Sequence, residues 1–326
     1  MASETDHWAS SASVDTLRTR ASLLRDVREF FFQRDVLEIE TPLLGRHTVT
    51  APFINSFRVQ QGGGYLQTSP EYAMKRLLAS GCDSIYQICK AFRQGERGDQ
   101  HNSEFTMLEW YRVGFSLDEL MGETEALITQ ILTPVYSDLP IERISYRDAF
   151  IRYANVDPFC VSDEELARVA SRHIEFQFEL SERDDYLDLL LSHCVEPHLG
   201  VIEEGGVSLC FMTDYPASQA SLACVKNTEY GEVALRFEAY VNGIELANAY
   251  QELTDATALA SRWEADQTKR MVLGLADVEK DERLLAAQVA GLPQCSGIAL
   301  GLDRLLMLQL KQTEIASVIA FTDERA

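Results

Sequence analysis

Basic residues are scarce in this sequence of 326 residues. Lys and Arg number 29 against 51 Asp and Glu, which gives a formal net charge of −22 and an isoelectric point near 4.6. Proteins that bind nucleic acids usually carry a basic surface that neutralises phosphates, so a large polyanion is an improbable partner. The chain also has no run of about 20 apolar residues that could span a bilayer, and its first residues, MASETDHWAS, lack the pattern of a signal peptide. These absences predict a cytoplasmic protein with no membrane association.

Cysteine pairs and the common catalytic motifs are absent as well. The 7 cysteines are scattered and never form a C-x-x-C pair, which favours reduced, mostly buried thiols. The sequence contains no G-x-x-x-x-G-K-[ST] loop, no N-terminal G-x-G-x-x-G, no H-E-x-x-H and no G-x-S-x-G. What is present is a hydrophobic content of 46%, typical of a chain that folds around a substantial core.

The predicted elements run through the chain without a repeat or a long linker, so we expect one domain over residues 1–326. An amphipathic helix over residues 14–34 leads into a short strand at 36–40 that Pro42 ends. A second helix begins at Ser69 as N-cap, with Pro70 in its first turn, and Gly81 closes it.

Further helices and strands are predicted from helical periodicity and from the alternation typical of strands. Strands are predicted at 84–93, 104–111, 208–212, 234–241 and 244–253, and helices at 117–132, 186–194, 256–273, 281–289 and 302–310, with residues 115–200 mainly helical. Antiparallel strand pairs separated by helices predict an α+β fold, with a mainly antiparallel sheet flanked by helices.

The Asn242-Gly243 step predicts a hairpin with a two-residue type I′ turn. That turn pairs Tyr240 with Glu245, and a regular ladder continues to a pair of Glu238 with Ala247. Glu238 and Glu245 then lie on one face, where both carboxylates can reach one hard cation. The alternative is an exposed sheet face with two solvated glutamates.

Asn248, Tyr250 and Glu252 share a face with one another but have the opposite parity to Glu245. They can enter the same site only if a β-bulge interrupts the ladder, and we expect it near residues 246–248.

The hairpin around residues 94–103 carries a second group of functional side chains. Period-two alternation places Phe105, Met107, Glu109 and Tyr111 on one face of its outgoing strand. Together with Arg93 and the His101-Asn102 pair, they could form a pocket for a base and its phosphates. An ordinary Arg93–Glu109 ion pair beside a core phenylalanine explains the same pattern.

The third element is the sequence GIALGLDR at residues 297–304. Its spaced glycines would allow a ligand to approach the backbone closely, and Arg304 would lie at the start of the following helix. A tight core strand followed by an amphipathic helix fits equally well.

Taken in order, these elements resemble the signature motifs of class II aminoacyl-tRNA synthetases. The first helix and the strand before Pro42 are similar to motif 1, residues 92–105 to motif 2, and residues 297–304 to motif 3. The sequences TSPEY at 68–72 and FTMLEWY at 105–111 resemble the lysyl branch. The similarity is greatest to the truncated lysyl-tRNA synthetase paralogues of the GenX or PoxA type, and no anticodon-binding domain is expected on either side of the motifs.

That resemblance implies an ATP-dependent ligase that activates (R)-β-lysine as an adenylate and transfers it to a lysine amine of elongation factor P rather than to tRNA. It implies ATP and Mg²⁺ as cofactors and a homodimer built around motif 1. Arg93 and Arg304 would be catalytic, holding the α- and γ-phosphates, and Glu238 and Glu245 would hold the metal.

The resemblance also assigns the two halves of the site. The implied ATP-binding residues are Arg93, Gln94, Gly95, His101, Asn102, Phe105, Glu238, Glu245, Leu246, Gly301 and Arg304. The implied amino-acid pocket consists of Ser69, Pro70, Glu71, Glu109, Tyr111, Asn248, Tyr250, Glu252 and Ala299. Ala299 stands where the tRNA-charging relatives have glycine, a change that the family associates with a preference for β-lysine.

Some positions differ from the family pattern, and two other functions stay open. Gly95 occupies the place of a motif 2 glutamate, with Glu96 next to it, and Asp99-Gln100 replaces a basic residue before His101. These changes are what a catalytically silent, regulatory subunit would show. A minimal lysine–tRNA ligase is the other alternative, which the net charge opposes.

Overall fold

A computed structural model describes residues 8–174, 182–202 and 205–326, so the part of the helical prediction that covers 175–181 lies outside the described residues. The helices are α1 Val14–Phe32, α2 Glu71–Ala79, α3 Leu117–Leu132, α4 Tyr146–Ala154, α5 Asp163–His173, α6 Arg183–Leu190, α7 Ala256–Val272, α8 Glu282–Gly291 and α9 Leu302–Gln309. None of the helices within these ranges is long and apolar enough to cross a lipid bilayer.

The strands of the main sheet are β1 Leu37–Glu38, β4 Ile85–Phe92, β5 Glu104–Val113, β6 Ile141–Ser145, β9 Leu209–Thr213, β12 Arg236–Val241, β13 Ile244–Gln251 and β14 Cys295–Gly301. Three short pairs complete the set: β2 Leu44–Gly45 with β3 Tyr65–Leu66, β7 Val201–Ile202 with β8 Gly206–Val207, and β10 Val225–Thr228 with β11 Gly231–Ala234.

The main sheet has 8 strands in the order β1-β4-β5-β14-β13-β12-β9-β6. Only its two outermost pairs, β1 with β4 and β6 with β9, are parallel. The predicted α+β class with a mainly antiparallel sheet is therefore confirmed, and the predicted helices and strands recur with small shifts at their ends.

One face of the sheet is covered by α1, α3 and α9, because each helix presents an apolar stripe to it. Leu23, Val27, Phe30 and Phe31 of α1 are buried, as the helical spacing predicted. Phe31 stacks on Tyr86 and meets Trp110 edge-on, so this contact joins α1 to β4 and β5. The core on this face leaves the opposite face of the central strands free to line a cavity.

Helix α2 starts one residue later than predicted. Pro70 is its N-cap, although the Ser69 hydroxyl still accepts a hydrogen bond from the backbone N–H of Glu71. Proline fits this position because its ring fixes the backbone φ angle and because it has no backbone N–H that would lack a hydrogen-bond acceptor. This start sets the direction in which Glu71 and Lys75, one turn apart, leave the helix.

The cysteines form no disulfide within the described residues. Cys194, Cys210 and Cys295 are buried and Cys160 is exposed, while the others lie between. Three of the 7 cysteines are therefore buried, so the prediction of mostly buried thiols holds for these three and not for the majority.

Candidate active site

A cavity of about 730 Å³ lies over the open face of the central strands. This volume is in the range of small-molecule sites, roughly 300–1,000 Å³. Every residue predicted for the ATP and amino-acid sites lines it except Pro70, Gln94, Gly95 and Glu238. The structure therefore brings residues from five separate segments of the chain to one cavity.

A β-bulge in β13 explains why the second hairpin contributes so many of these side chains. Tyr240 pairs with Glu245 as predicted, but the register shifts between Ala239 and Tyr240. Below the shift, Glu238 pairs with Asn248 and not with Ala247, so the predicted Glu238–Ala247 pair is wrong. The extra residue, Leu246, reverses the parity of the rest of the strand.

As a consequence, Asn248 and Tyr250 face the same side as Glu238 and Glu245. Ala247 instead pairs with Ala239 on the core side of the sheet. The expected bulge near residues 246–248 is thus confirmed.

The floor of the cavity is formed by β14 between β5 and β13. Ala299 lies directly opposite Glu109 on one side and Asn248 on the other. At Gly297, a Cβ atom would lie 2.4 Å from Glu252 Oε1 and 2.4 Å from Tyr111 Cε1. The glycine is therefore required by the close approach of two of the chain's own side chains, and not by a ligand as the sequence suggested.

Glu109 is buried at one end of the cavity and is held by neutral donors. The Ser69 hydroxyl donates to its Oε2 at 2.7 Å, and the Tyr111 hydroxyl donates to its Oε1 at 2.7 Å. Burial, reinforced by the negative charge of Glu71, raises the pKa of Glu109 to about 8. The alternative Arg93–Glu109 ion pair is not formed, because Arg93 pairs with Glu96 at 3.6 Å.

Two further carboxylates of the same end share a buried lysine. Lys75 Nζ lies 2.6 Å from Glu71 Oε1 and 2.6 Å from Glu252 Oε2, and Lys75 is 1% exposed. Burial raises the pKa of Glu252 to about 7, although Lys75 acts against the rise. The carboxylates of Glu71 and Glu252 thus converge on one ammonium, and Ser69 connects Glu109 to the backbone N–H of Glu71.

The opposite end of the cavity is rich in arginine. Phe105 lies four residues before Glu109 on β5, about 13 Å away at the rise of an extended strand. The guanidinium of Arg93 lies over the Phe105 ring, 5.1 Å from its centroid. Its buried Nε finds no hydrogen-bond acceptor among the described residues, which is the condition of a donor that awaits an anionic ligand.

Arg304 connects three parts of this arginine-rich end. Its Nη1 donates to the Glu245 carbonyl at 2.8 Å and lies 3.4 Å from the Glu245 carboxylate. Its Nη2 donates to His101 Nε2 at 2.7 Å, which requires the neutral ring with its proton on Nδ1. Burial and the positive charge of Arg304 lower the pKa of His101, so the ring is neutral near pH 7.

Glu238 backs the cavity but does not line it. Its carboxylate is bound by Arg236 and accepts hydrogen bonds from the hydroxyls of Tyr215 and Tyr240. Glu245 does face the cavity, and burial together with the charge of Glu238 raises its pKa. Glu245 is therefore suited to bind magnesium. Glu238 could do so only after it releases Arg236 and the two tyrosine hydroxyls.

Glu196 adds a third carboxylate beside this pair. The Tyr240 hydroxyl lies 3.2 Å from Glu196 Oε1, and burial with the charges of Glu238 and Glu245 raises the pKa of Glu196 to about 7. Excess negative charge at this position is what a divalent cation would compensate. No group of three or more His, Cys, Asp or Glu in the described ranges is arranged as a complete metal site, so a cation here would also need oxygen atoms from its substrate.

The remaining predicted residues lie at the edge of the site. Gln94 and Gly95 are exposed, because the positive φ of 89° at Gly95 turns the loop, and it is Glu96 that lines the cavity. Pro70 is buried as the cap of α2. Asn102 lines the cavity, but its amide donates to the Glu104 carbonyl and accepts from the Asp323 N–H.

Sequence reasoning missed Lys75 and Arg236. Arg236 is partly buried over the Tyr215 ring and donates to Asn248 Oδ1 at 3.1 Å, so it orients a residue of the cavity. Both could have been found by spacing: Lys75 is four residues after Glu71 on a helix, and Arg236 is two residues before Glu238 on a strand.

Comparison with known proteins agrees with this architecture. The family model of class II tRNA synthetases (D, K and N) matches residues 5–325. The chain is 44% identical over 339 aligned positions to elongation factor P–(R)-β-lysine ligase of Salmonella typhi, with 99% of this chain and 100% of that protein covered. Proteins of the same name from Salmonella dublin and Salmonella heidelberg match with the same identity and coverage.

Proposed function

Since the chain belongs to the class II tRNA synthetase family, we propose that it is an ATP-dependent ligase that activates (R)-β-lysine as an adenylate and transfers it to a lysine ε-amine of elongation factor P. The observation that carries this proposal is a single cavity with arginines at one end and buried carboxylates at the other. The names of the relatives supply the specific substrate and acceptor.

Charge selects the amino acid in this proposal. Glu71, Glu109 and Glu252 present carboxylates to a ligand, and paired ammonium groups satisfy buried carboxylates. An aspartate substrate would require arginine or lysine at the same place, and the buried Lys75 at this end of the cavity is already bound by two glutamates. A diamino acid such as β-lysine is therefore the substrate class that the described pocket fits.

The arginine-rich end would hold ATP, whose phosphates need cationic partners. Phe105 offers an aromatic face for the adenine base, and Arg93 above it has an unused donor for the α-phosphate. Arg304 and the neutral His101 would bind the outer phosphates. Magnesium, when bound beside Glu245, would neutralise phosphate charge.

The first step would be attack of the amino-acid carboxylate on the α-phosphorus. The bond to the β-phosphate oxygen breaks, pyrophosphate leaves and an acyl adenylate forms. Both reactants are anionic, so the guanidinium groups of Arg93 and Arg304 stabilise the charge that builds up on the phosphate oxygens. No protein nucleophile is required, because alignment of the two substrates in one cavity is the main contribution.

In the second step, the acceptor amine would attack the adenylate carbonyl and release AMP. The amine must be neutral to act as a nucleophile, and its transfer from water into the cavity lowers its pKa. The proton lost on amide formation can leave with the AMP phosphate or to solvent.

ATP–pyrophosphate exchange tests the first step. We expect exchange that depends on (R)-β-lysine, with weaker exchange on α-lysine, and none in an Arg93→Ala variant. A matched Arg97→Ala variant removes an exposed arginine of the same loop that pairs with Asp323 outside the cavity. No exchange by the unaltered chain would support the alternative of a catalytically silent subunit.

Mass measurement of elongation factor P tests the second step. Incubation with ATP and β-lysine should add one lysyl residue to the factor, and mutation of the modified lysine should abolish the gain. A parallel filter assay with lysine tRNA should show no aminoacylation. Charging of the tRNA without modification of the factor would favour the minimal lysine–tRNA ligase instead.

We also propose that residues 1–326 act as one catalytic domain and that the protein is a homodimer. The motif 1 region supports the dimer, because Phe32 and Leu37 at the end of α1 and in β1 are large apolar side chains that are 78% and 57% exposed.

A further inference from the structure

Lys75 is a buried cation that the proposed reaction does not use. It leaves α2 one turn after Glu71 and bridges Glu71 to Glu252, which follows β13, with both distances at 2.6 Å. A lysine in such a place has lost its hydration almost entirely, and the two carboxylates must replace that hydration. Because Glu71 and Glu252 both line the cavity, Lys75 sits directly beneath the amino-acid pocket.

The bridge has a consequence for the charge balance of the complex with a ligand. Once ligand binding has released the proton of Glu109, Glu71, Glu109 and Glu252 together bring three formal negative charges, and Lys75 cancels one of them. The remaining charge of two matches a diamino acid with two ammonium groups, so that neither charge of the complex is left uncompensated in a buried site. The match rests on the proposed function, since it is meaningful only if the ligand carries two amines.

We propose that Lys75 is a positioning residue of the amino-acid pocket: its ammonium fixes the Glu71 and Glu252 carboxylates, favours the ionised form of Glu252 and leaves the pocket a net charge of minus two in the complex with a doubly cationic substrate. Fixed orientation follows from the geometry, because one oxygen of each carboxylate lies 2.6 Å from the same Lys75 ammonium. Glu252 Oε1 is further confined by the backbone of Gly297.

The ionisation part of the proposal depends on all titratable groups near Lys75. These are Glu71 and Tyr72 on α2, Glu109 and Tyr111 on β5, Glu252 after β13, and Cys224 and Cys295. Burial raises the pKa of each tyrosine and cysteine among them, so these groups remain neutral. Lys75 is the one cation of the set, and removing it leaves burial and carboxylate repulsion unopposed at Glu252.

A Lys75→Met variant tests the proposal, because methionine keeps the length of the side chain without its charge. We expect the KM for β-lysine in pyrophosphate exchange at neutral pH to rise about tenfold or more, as one pKa unit gives, while the KM for ATP changes little. The limb of kcat/KM that rises with pH should also move about one unit upward. A structural role alone would not shift this limb.

Lys90→Met is the matched control. Lys90 lies on β4, is about half exposed, and pairs with Glu104 at 3.3 Å outside the cavity. The control variant should keep the pH profile and both KM values of the unaltered chain. A Lys75→Met enzyme with an unshifted profile, or with equal changes in both KM values, would overturn the proposal.

A second comparison is informative even if Lys75→Met does not fold. The double variant Glu71→Gln with Lys75→Met removes one carboxylate together with the ammonium, which leaves less uncompensated charge. Its pH limb should lie above that of Glu71→Gln alone, in which Glu252 keeps Lys75, and coincident limbs would refute the inference. If the unaltered chain shows no exchange with any lysine isomer, the proposed function fails and the inference falls with it. If the unaltered chain shows normal pyrophosphate exchange and the pH profiles of the Lys75 variants are unshifted, the inference about Lys75 fails and the proposed function stands.

Discussion

Glu109 is a carboxyl group whose surroundings favour its neutral form. Two hydroxyl donors and complete burial give it hydrogen bonds but no cation, so its pKa rises to about 8. The residue type and its face on β5 could be predicted from alternation in the sequence. Its protonation could not, because that depends on Ser69 and Glu71, which reach Glu109 from a different segment of the chain.

This protonation predicts that β-lysine binding releases a proton. Near pH 7 the empty site holds a neutral Glu109, and a bound ammonium group favours the carboxylate, so the proton must leave. Calorimetry in two buffers of different ionisation enthalpy should show the release at pH 7 and a smaller release in a Glu109→Gln variant, in which only Glu252 still contributes. Binding heats that do not depend on the buffer would contradict a direct contact of Glu109 with the ligand.

Glu109 also predicts a pH dependence of stability for the empty protein. The pKa of Glu109 is raised above the ordinary value of 4.5. Its contribution to the stability of the folded state is therefore fully present below pH 4.5 and is lost as the pH rises through about 8. The free energy of unfolding in urea should therefore fall more steeply between about pH 4.5 and about pH 8 in the unaltered chain than in Glu109→Gln. Parallel curves would show that Glu109 ionises normally.

Glu252 gives a prediction on specificity. A Glu252→Gln variant should raise the KM for β-lysine by about 30-fold or more, equivalent to roughly 2 kcal/mol for a buried charged hydrogen bond, with little effect on the KM for ATP. Glu104→Gln, on the exposed side of β5, is the control. Equal effects on both substrates would remove Glu252 from the amino-acid pocket.

The hairpin of β12 and β13 shows how far an element can be predicted from its sequence. The Asn-Gly turn indicated the pair of Tyr240 with Glu245 correctly, and the opposite parities of Glu245 and Glu252 required a bulge. The predicted partner of Glu238 after the bulge was wrong by one residue, because Glu238 pairs with Asn248 and not with Ala247. Periodicity shows that an extra residue is needed, but packing on β9 and β14 decides which residue it is.

Ala299 on β14 gives a prediction on the choice between lysine isomers. Its methyl group projects between Glu109 and Asn248, where the amine of the substrate is expected to bind. An Ala299→Gly variant should improve exchange with α-lysine relative to β-lysine, because it makes room beside the pocket carboxylates. An unchanged ratio of the two exchange rates would show that this position does not discriminate between the isomers.

Gly297 on the same strand predicts a steric effect. In Gly297→Ala the new methyl group would overlap Glu252 and Tyr111, and we expect the free energy of unfolding to fall by about 1–3 kcal/mol, as in other overpacked sites. In Gly301→Ala the nearest atom is Arg304 Cδ at 3.8 Å, an ordinary contact. Denaturant unfolding of the two variants separates the effects, and equal losses would argue against the overlap.

For the whole molecule, the sequence predicted the α+β class and nearly all residues of the sheet face that lines the cavity. It did not predict the opposite wall, which includes Asp188, Gln219, Trp263 and Asp266. Those residues belong to α6, α7 and a connecting segment. Nothing in the sequence pattern of these segments indicates that they lie against the strands. Which helix covers a sheet face is fixed by tertiary packing, and a single sequence carries little signal for it.

Assembly is the property of the whole molecule that can be tested most directly. Sedimentation should show a dimer that Leu37→Glu dissociates, because a charge would be buried in the apolar motif 1 surface. Val289→Glu on α8 alters a side chain that is 73% exposed and distant in sequence, and should leave the dimer intact. A monomeric unaltered chain would contradict the expected interface.

The bulge at Leu246 restricts how this enzyme can change over evolution. Single substitutions along β13 leave the register intact, whereas losing one codon there would turn Asn248, Tyr250 and Glu252 into the core and bring alanines to the cavity. Length changes are tolerated in the connections around the sheet, but in this strand they would have to come in even numbers or be compensated within the same hairpin. Descendants with altered substrates are therefore expected to differ in side chains at these positions and to share the number of residues between the turn and Glu252.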